Sequence, residues 1–208
     1  MALDLQEQEQ VAEFKAWWHS WGKYLFAGVL IAALSYLGYK SWQAYQIHQS
    51  EKVSTLFVEL DKVREDPKKI LLMSKTIIEQ YPNSAYAPRA ALIAAKASWD
   101  SNDTAGAKAQ LEWVIAHAKE ASLRDIAHLR LAGLFLDTQQ YSQALAQLKT
   151  PEEESYSVQY QELKGDVLAE SGKPKEAIEA YKQALAKVKD DATYRTLLEV
   201  KLDALESK

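Results

Sequence analysis

The chain has 208 residues, 48% of them hydrophobic and 26% charged, with a formal net charge of −4. That apolar fraction can build a core and excludes a wholly disordered chain, and the acidic balance argues against nucleic acid as a partner. Cysteine is absent, which excludes disulfides, thiolate zinc sites, iron–sulfur clusters and thiol catalysis.

The first element is an acidic arm, residues 1–23, carrying Asp4, Glu7, Glu9 and Glu13. Between Lys23 and Lys40 runs YLFAGVLIAALSYLGY, without a charge. At ~1.5 Å per residue it falls slightly short of a ~30 Å hydrocarbon core. The flanking lysines close that gap by extending their ammonium groups outward along their stems. Trp17, Trp18, Trp21 and Tyr24 crowd one end of the run, and Tyr36, Tyr39, Trp42 and Tyr45 the other. Paired aromatic belts of this kind mark the two faces of a bilayer, so residues 24–45 read as a transmembrane helix with its interfacial flank. The acids ahead of the run disfavour a cleaved signal peptide, which needs a basic leader. Orientation is undecided by charge, because Lys15 and Lys23 on one side balance Lys40 and Lys52 on the other.

Within the span, Gly28, Ala32 and Ser35 fall on one helical face. Small residues there admit a close helix partner, although such residues are also common in membrane helices without one.

From residue 46 to 208 the pattern becomes amphipathic and helical. Asp66-Pro67 and Thr150-Pro151 each read as an N-cap followed by proline at the first helical position, and Glu153 adds a capping box to the second. LKGDVLAESGKPKEAIEAYKQAL, residues 163–185, carries Gly165, Gly172, Ala177, Tyr181 and Ala184 at the spacing of a tetratricopeptide (TPR) repeat. Upstream, Leu131, Ala132, Phe135, Ala144 and Leu148 occupy equivalent places, and Ala95, Ala107, Leu111 and Val114 fit more loosely. The markers Ile70, Ala107, Ala144 and Ala177 are 37, 37 and 33 residues apart. The expected fold is therefore all-α: one N-terminal transmembrane helix, then an α-solenoid of TPR-like hairpins stacked around a concave groove.

Such grooves are lined from the first helix of each hairpin. This nominates Arg89, Leu92, Lys96 and Trp99, then Leu129, Gly133 and Leu136, then Glu162 and Asp166. Trp99 either anchors a bound peptide or packs a hairpin core. Catalytic signatures are missing: there is no GxSxG, GxGxxG, phosphate loop or HExxH, and His117 and His128 lack metal-ligand spacing. The reading is of an interaction protein, not an enzyme, with no cofactor.

YPNSAYAPRAAL (81–92) and LKGDVLAESGKPKEA (163–177), behind an acidic arm and an aromatic-flanked span, resemble the YfgM family. The resemblance implies an ancillary subunit of the bacterial SecYEG translocon, single-pass in the inner membrane with its N-terminus cytoplasmic and its repeats periplasmic. It implies association with SecYEG and a PpiD-like periplasmic chaperone, and the passing of exported polypeptides to periplasmic chaperones. A negative regulatory link to envelope stress signalling is also implied. Residues alone leave open a TPR adaptor for another envelope assembly or secretion complex.

Overall fold

The structure is a computed structural model that describes residues 2–189 and 191–207; Met1, at the start of the arm, and Asp190 and Lys208, in the repeat region, lie outside them. Every regular element among the described residues is helical. The chain forms two compact units, Met1–Glu51 and Lys52–Lys208.

The first unit holds α1 (Ala2–Trp17), a π-helical turn (Trp18–Gly22) and the start of α2 (Lys23–Lys62). One helix among the described residues, Glu9–Lys62, is long and apolar enough to cross a membrane. Only 6% of its most apolar window is buried by the chain itself, unlike the core helix of a globular domain. Within the π turn a Cβ at Gly22 would stand 2.4 Å from Trp18 Cε3, so glycine leaves room for the indole against the backbone. Phe14 stacks on both Trp17 and Trp18, with centroids 6.1 and 6.3 Å away. Gly28, Ala32 and Ser35 lie exposed along α2, and a Cβ at Gly28 would meet nothing within 4 Å.

In the second unit the last turns of α2 are followed by α3 (Pro67–Gln80), α4 (Tyr86–Asp100), α5 (Thr104–His117), α6 (Ala121–Asp137) and α7 (Tyr141–Gln147). Next come α8 (Ser157–Glu170), α9 (Pro174–Lys187) and α10 (Ala192–Glu206). Sequential helices pack as antiparallel hairpins, and three of those hairpins turn in the same way. Asn102, Gln139 and Gly172 are left-handed, with φ of 61°, 58° and 76°. The amide of the next residue then donates back to the helix: Asp103 to Ser98, Gln140 to Phe135 and Lys173 to Leu168, at 2.7–2.9 Å. These are Schellman closures, which satisfy carbonyls that the helix end would otherwise leave open. In each case the marker alanine, Ala107, Ala144 or Ala177, lies one turn further on and is at most 1% exposed.

Local chemistry starts several helices, the first of them as expected. Asp66 accepts from the Lys69 amide at 3.2 Å with Pro67 behind it, and Asp103 and Asp191 cap α5 and α10 likewise. Thr150-Pro151 is the exception. No helix begins there; Glu153 is extended (φ −109°, ψ 127°), and a short 3₁₀ turn over Glu154–Tyr156 precedes α8. The amides that a Thr150 cap would bind are taken by a distant side chain. Asp125, fully buried on α6, accepts from Glu152 N at 2.9 Å, from Glu153 N at 2.8 Å and from the Tyr160 hydroxyl at 2.9 Å.

Three hydrophobic clusters run along the stack. The first joins the end of α2 to α3 and α4 through Leu60, Ile77 and Ala90. The central one joins α4 to α8 through Leu111, Leu131, Phe135 and Tyr160, and the last joins α8, α9 and α10 through Leu168, Tyr181 and Leu198. Trp113 packs against the first two and Leu145 against the last two, so the core is continuous. Alanines at 87, 90, 91, 94, 95 and 97 leave α4 thin enough for α3 and α5 to close on it from both sides.

Candidate functional site

Helices α4 and α6 are the first helices of the second and third hairpins. On their common face lie two adjoining cavities. The larger, about 420 Å³, has Phe57, Ile70, Leu92 and Ile93 as its apolar lining, with Arg64, Arg89, Lys96 and Arg130 around it. The smaller, about 300 Å³, is lined by Trp99, Ala107, Leu111, Gly133 and Leu134. Lys96 and Arg130 belong to both.

Most cations here are already engaged. Arg64 pairs with Asp61, and Lys96 meets Asp100 at 2.6 Å. Arg89 grips Glu120 through both guanidinium nitrogens, at 2.9 and 2.7 Å. That bidentate bond holds the Glu120 carboxyl below the usual carboxylate range and the Arg89 guanidinium above its own. Arg130 differs. One Nη1 hydrogen donates to the Leu92 carbonyl at 3.2 Å, tying α6 to α4, and no carboxylate among the described residues pairs with it.

Of the residues nominated from sequence, Arg89, Leu92 and Lys96 line the first cavity, and Lys96, Trp99 and Gly133 the second. Trp99 is 38% exposed. Leu129 and Leu136 lie elsewhere, half-buried against the central core. Glu162 and Asp166 on α8 are taken up by α10. Lys201 reaches Glu162 at 2.7 Å and Asp166 at 2.8 Å; Tyr194 donates to Glu162, and Tyr181 donates to Asp166 at 2.7 Å. Burial works against the Lys201 charge, yet the carboxylates of Asp166 and Glu162 outweigh it and hold the ammonium above its ordinary range. Sequence reasoning missed Arg130 and Phe57. Arg130 precedes Gly133 by three residues on α6, so helical spacing alone puts it beside a nominated position.

Both sequence stretches that carried the resemblance also make packing contacts that hold the fold. In the first, the Ser84 hydroxyl accepts from the Ala87 amide at 3.1 Å, and Tyr86 donates to Ser54 and packs its ring 5.1 Å from Phe57. In the second, Gly165 lies under the Tyr181 ring, where a Cβ would come within 2.4 Å.

Residues 15–207 match the family model of a tetratricopeptide repeat-like domain. A protein of Neisseria gonorrhoeae named ancillary SecYEG translocon subunit is 35% identical over 209 residues, covering 99% of this chain and all of the other. Proteins of the same name from Aggregatibacter actinomycetemcomitans and Escherichia coli (strain K12) are 27% and 25% identical, each covering over nine-tenths of both chains. Among solved structures, a MamA RS-1 ArsTM double mutant superposes with a TM-score of 0.54 at 17% identity, covering 76% of this chain and 94% of that one. At that identity the likeness shows a shared fold.

Proposed function

The chain belongs to the YfgM family of ancillary SecYEG translocon subunits, and from that we propose that it is a membrane-tethered scaffold at the SecYEG translocon that helps pass exported proteins to periplasmic chaperones. Residues 24–45 cross the inner membrane, with the arm 1–23 in the cytoplasm and the repeats, 46–208, in the periplasm. The partners are SecYEG, a PpiD-like chaperone and exported polypeptides. The role is that of a scaffold without catalysis.

The observation that carries this reading is the open, partly apolar groove across α4 and α6, in a chain that also has one helix fit to cross a membrane. Tethering confines the repeats to a thin layer and raises their effective concentration for neighbours, so weak groove contacts suffice. Gly28, Ala32 and Ser35 offer the membrane-side docking face.

The test is recovery from membranes in mild detergent. The tagged chain is expected to bring down translocon subunits and a membrane-anchored periplasmic chaperone, and Gly28→Leu is expected to lower the translocon yield. Absence of both partners overturns the proposal. Because the chain lacks cysteine, single cysteines at Ala2 and Asn83 report orientation with an impermeant maleimide after outer-membrane permeabilisation. Labelling is expected at position 83, and labelling at position 2 in its place inverts the topology.

A further inference from the structure

We propose that the two cavities on α4 and α6 are one site for an extended polypeptide segment with an internal acidic side chain between apolar ones, its carboxylate bound by Arg130 and its backbone passing over Gly133. This deepens the scaffold reading by naming the chemistry the groove holds, and rests on it only for where such a segment comes from.

Three features select this occupant. The first is charge. Arg64, Arg89 and Lys96 each have a carboxylate partner, while Arg130 spends one N–H on the Leu92 carbonyl and has no carboxylate partner among the described residues. The rest of its planar fork is free to take a carboxylate in bidentate fashion. The carboxylates on the lining are Asp100, matched by Lys96, and Asp137 in the smaller cavity.

The second feature is position. Arg130 belongs to both cavities, so a chain lying along them has its carboxylate midway, with apolar side chains on either side. One side chain enters among Phe57, Ile70 and Leu92, and the other beside Trp99 and Leu111. A terminal carboxylate on Arg130 would leave one cavity empty, which is why the site is assigned to an internal acid.

The third is a missing side chain. Gly133 sits inside α6, where glycine is the least favourable residue after proline. Its φ is not positive, and a Cβ there would meet nothing within 4 Å. The fold itself therefore gives no reason for glycine at this place. A bound backbone in close approach does.

The experiment uses the full chain in mild detergent and fluorescein-labelled peptides, read by anisotropy. The acidic probe is an acetylated, amidated nonapeptide with a central glutamate, leucine on one side and phenylalanine on the other, and serine and glycine elsewhere. A second peptide has glutamine at the centre, and a third ends at that position with a free carboxylate. The acidic probe is expected to bind the unaltered protein about tenfold tighter than the glutamine peptide, the size of one charged hydrogen-bonded contact. Arg130→Gln should bring the two to equal affinity. Gly133→Ala should weaken both at least several-fold while raising the melting temperature, since alanine favours the helix, so lost binding there is not unfolding.

Equal binding of the glutamate and glutamine peptides, a preference that survives in Arg130→Gln, or tighter binding of the free-carboxylate peptide overturns the proposal. So does failure of all three to bind. Peptide binding without translocon recovery sinks the scaffold role and spares this site; the reverse sinks the site alone.

Discussion

Asp125→Asn tests how α8 is set against α6. The side chain is buried and keeps its shape on substitution, but its acceptors change. Oδ1 takes Glu152 N–H and the Tyr160 hydroxyl, and Oδ2 takes Glu153 N–H. An amide nitrogen at either place can only donate, so one of the two backbone amides is left facing another donor. A buried unsatisfied group costs ~1–3 kcal/mol, and the remaining bonds fall from charged to neutral strength at roughly 0.5–1 kcal/mol each. Relief of burying a charge offsets part of this, leaving a net loss of about 2–4 kcal/mol. For a domain of this size each kcal/mol moves the melting point by about 2–4 °C, so a fall of about 5–15 °C is expected by circular dichroism. The loop offers a second readout. Lys149 is exposed just before it, so trypsin should nick there faster in the variant. A melting point within about 2 °C of the parent, with unchanged nicking, would refute the view that Asp125 fixes this loop.

Two further perturbations follow from buried contacts. Gly165→Ala puts a methyl group 2.4 Å from Tyr181 Cε1, and the ring cannot swing aside because it is buried and its hydroxyl is held by Asp166. Overpacking should cost ~1–3 kcal/mol, seen as a lower melting temperature, and an unchanged one would show that the ring yields freely. Alkaline pH acts on the same region. Burial, then the hydrogen bond to a carboxylate, raises the phenols of Tyr160, Tyr181 and Tyr194 above the usual tyrosine range. A group whose pKa is raised by folding stabilises the fold fully below its unfolded pKa, about 10 for both tyrosine and lysine, and that stability is lost as pH rises toward the folded value. Lys201, also raised, has the same sign. The melting temperature should therefore hold up to about pH 9 and fall steeply above about pH 10; Tyr181→Phe should flatten that fall, and a level profile to pH 11 would contradict the assignment.

The repeat frame was legible because it is written in small residues at fixed spacing. Ala107, Ala144 and Ala177 are where helices touch, and only small side chains allow that contact, so the periodicity survives in the letters. Asp66-Pro67 was legible for a related reason: the cap and the proline act within one turn of each other. Thr150-Pro151 carries the same local signature and opens no helix, since Asp125 claims the nearby amides from another hairpin. Groove residues were half visible. Arg89, Leu92, Lys96, Trp99 and Gly133 do line the cavities, whereas Glu162 and Asp166 occupy the matching places on α8 and meet α10. A repeat pattern names the position on the helix, not whether another helix already lies across it.

By itself, the sequence determined that this chain is helical, that one apolar stretch stands apart, and that the remainder is a stack of hairpins. Each depends on periodicity or on neighbours a turn apart, which a linear string preserves. Only the tertiary structure decided that Arg130 meets no carboxylate among the described residues while its neighbours have theirs, and that Gly133 faces open space. It also decided that Lys201 closes over the last pair of acids. Those outcomes depend on which of several chemically equivalent partners comes within about 3 Å, the reach of a hydrogen bond, and only packing brings residues from separate hairpins that close.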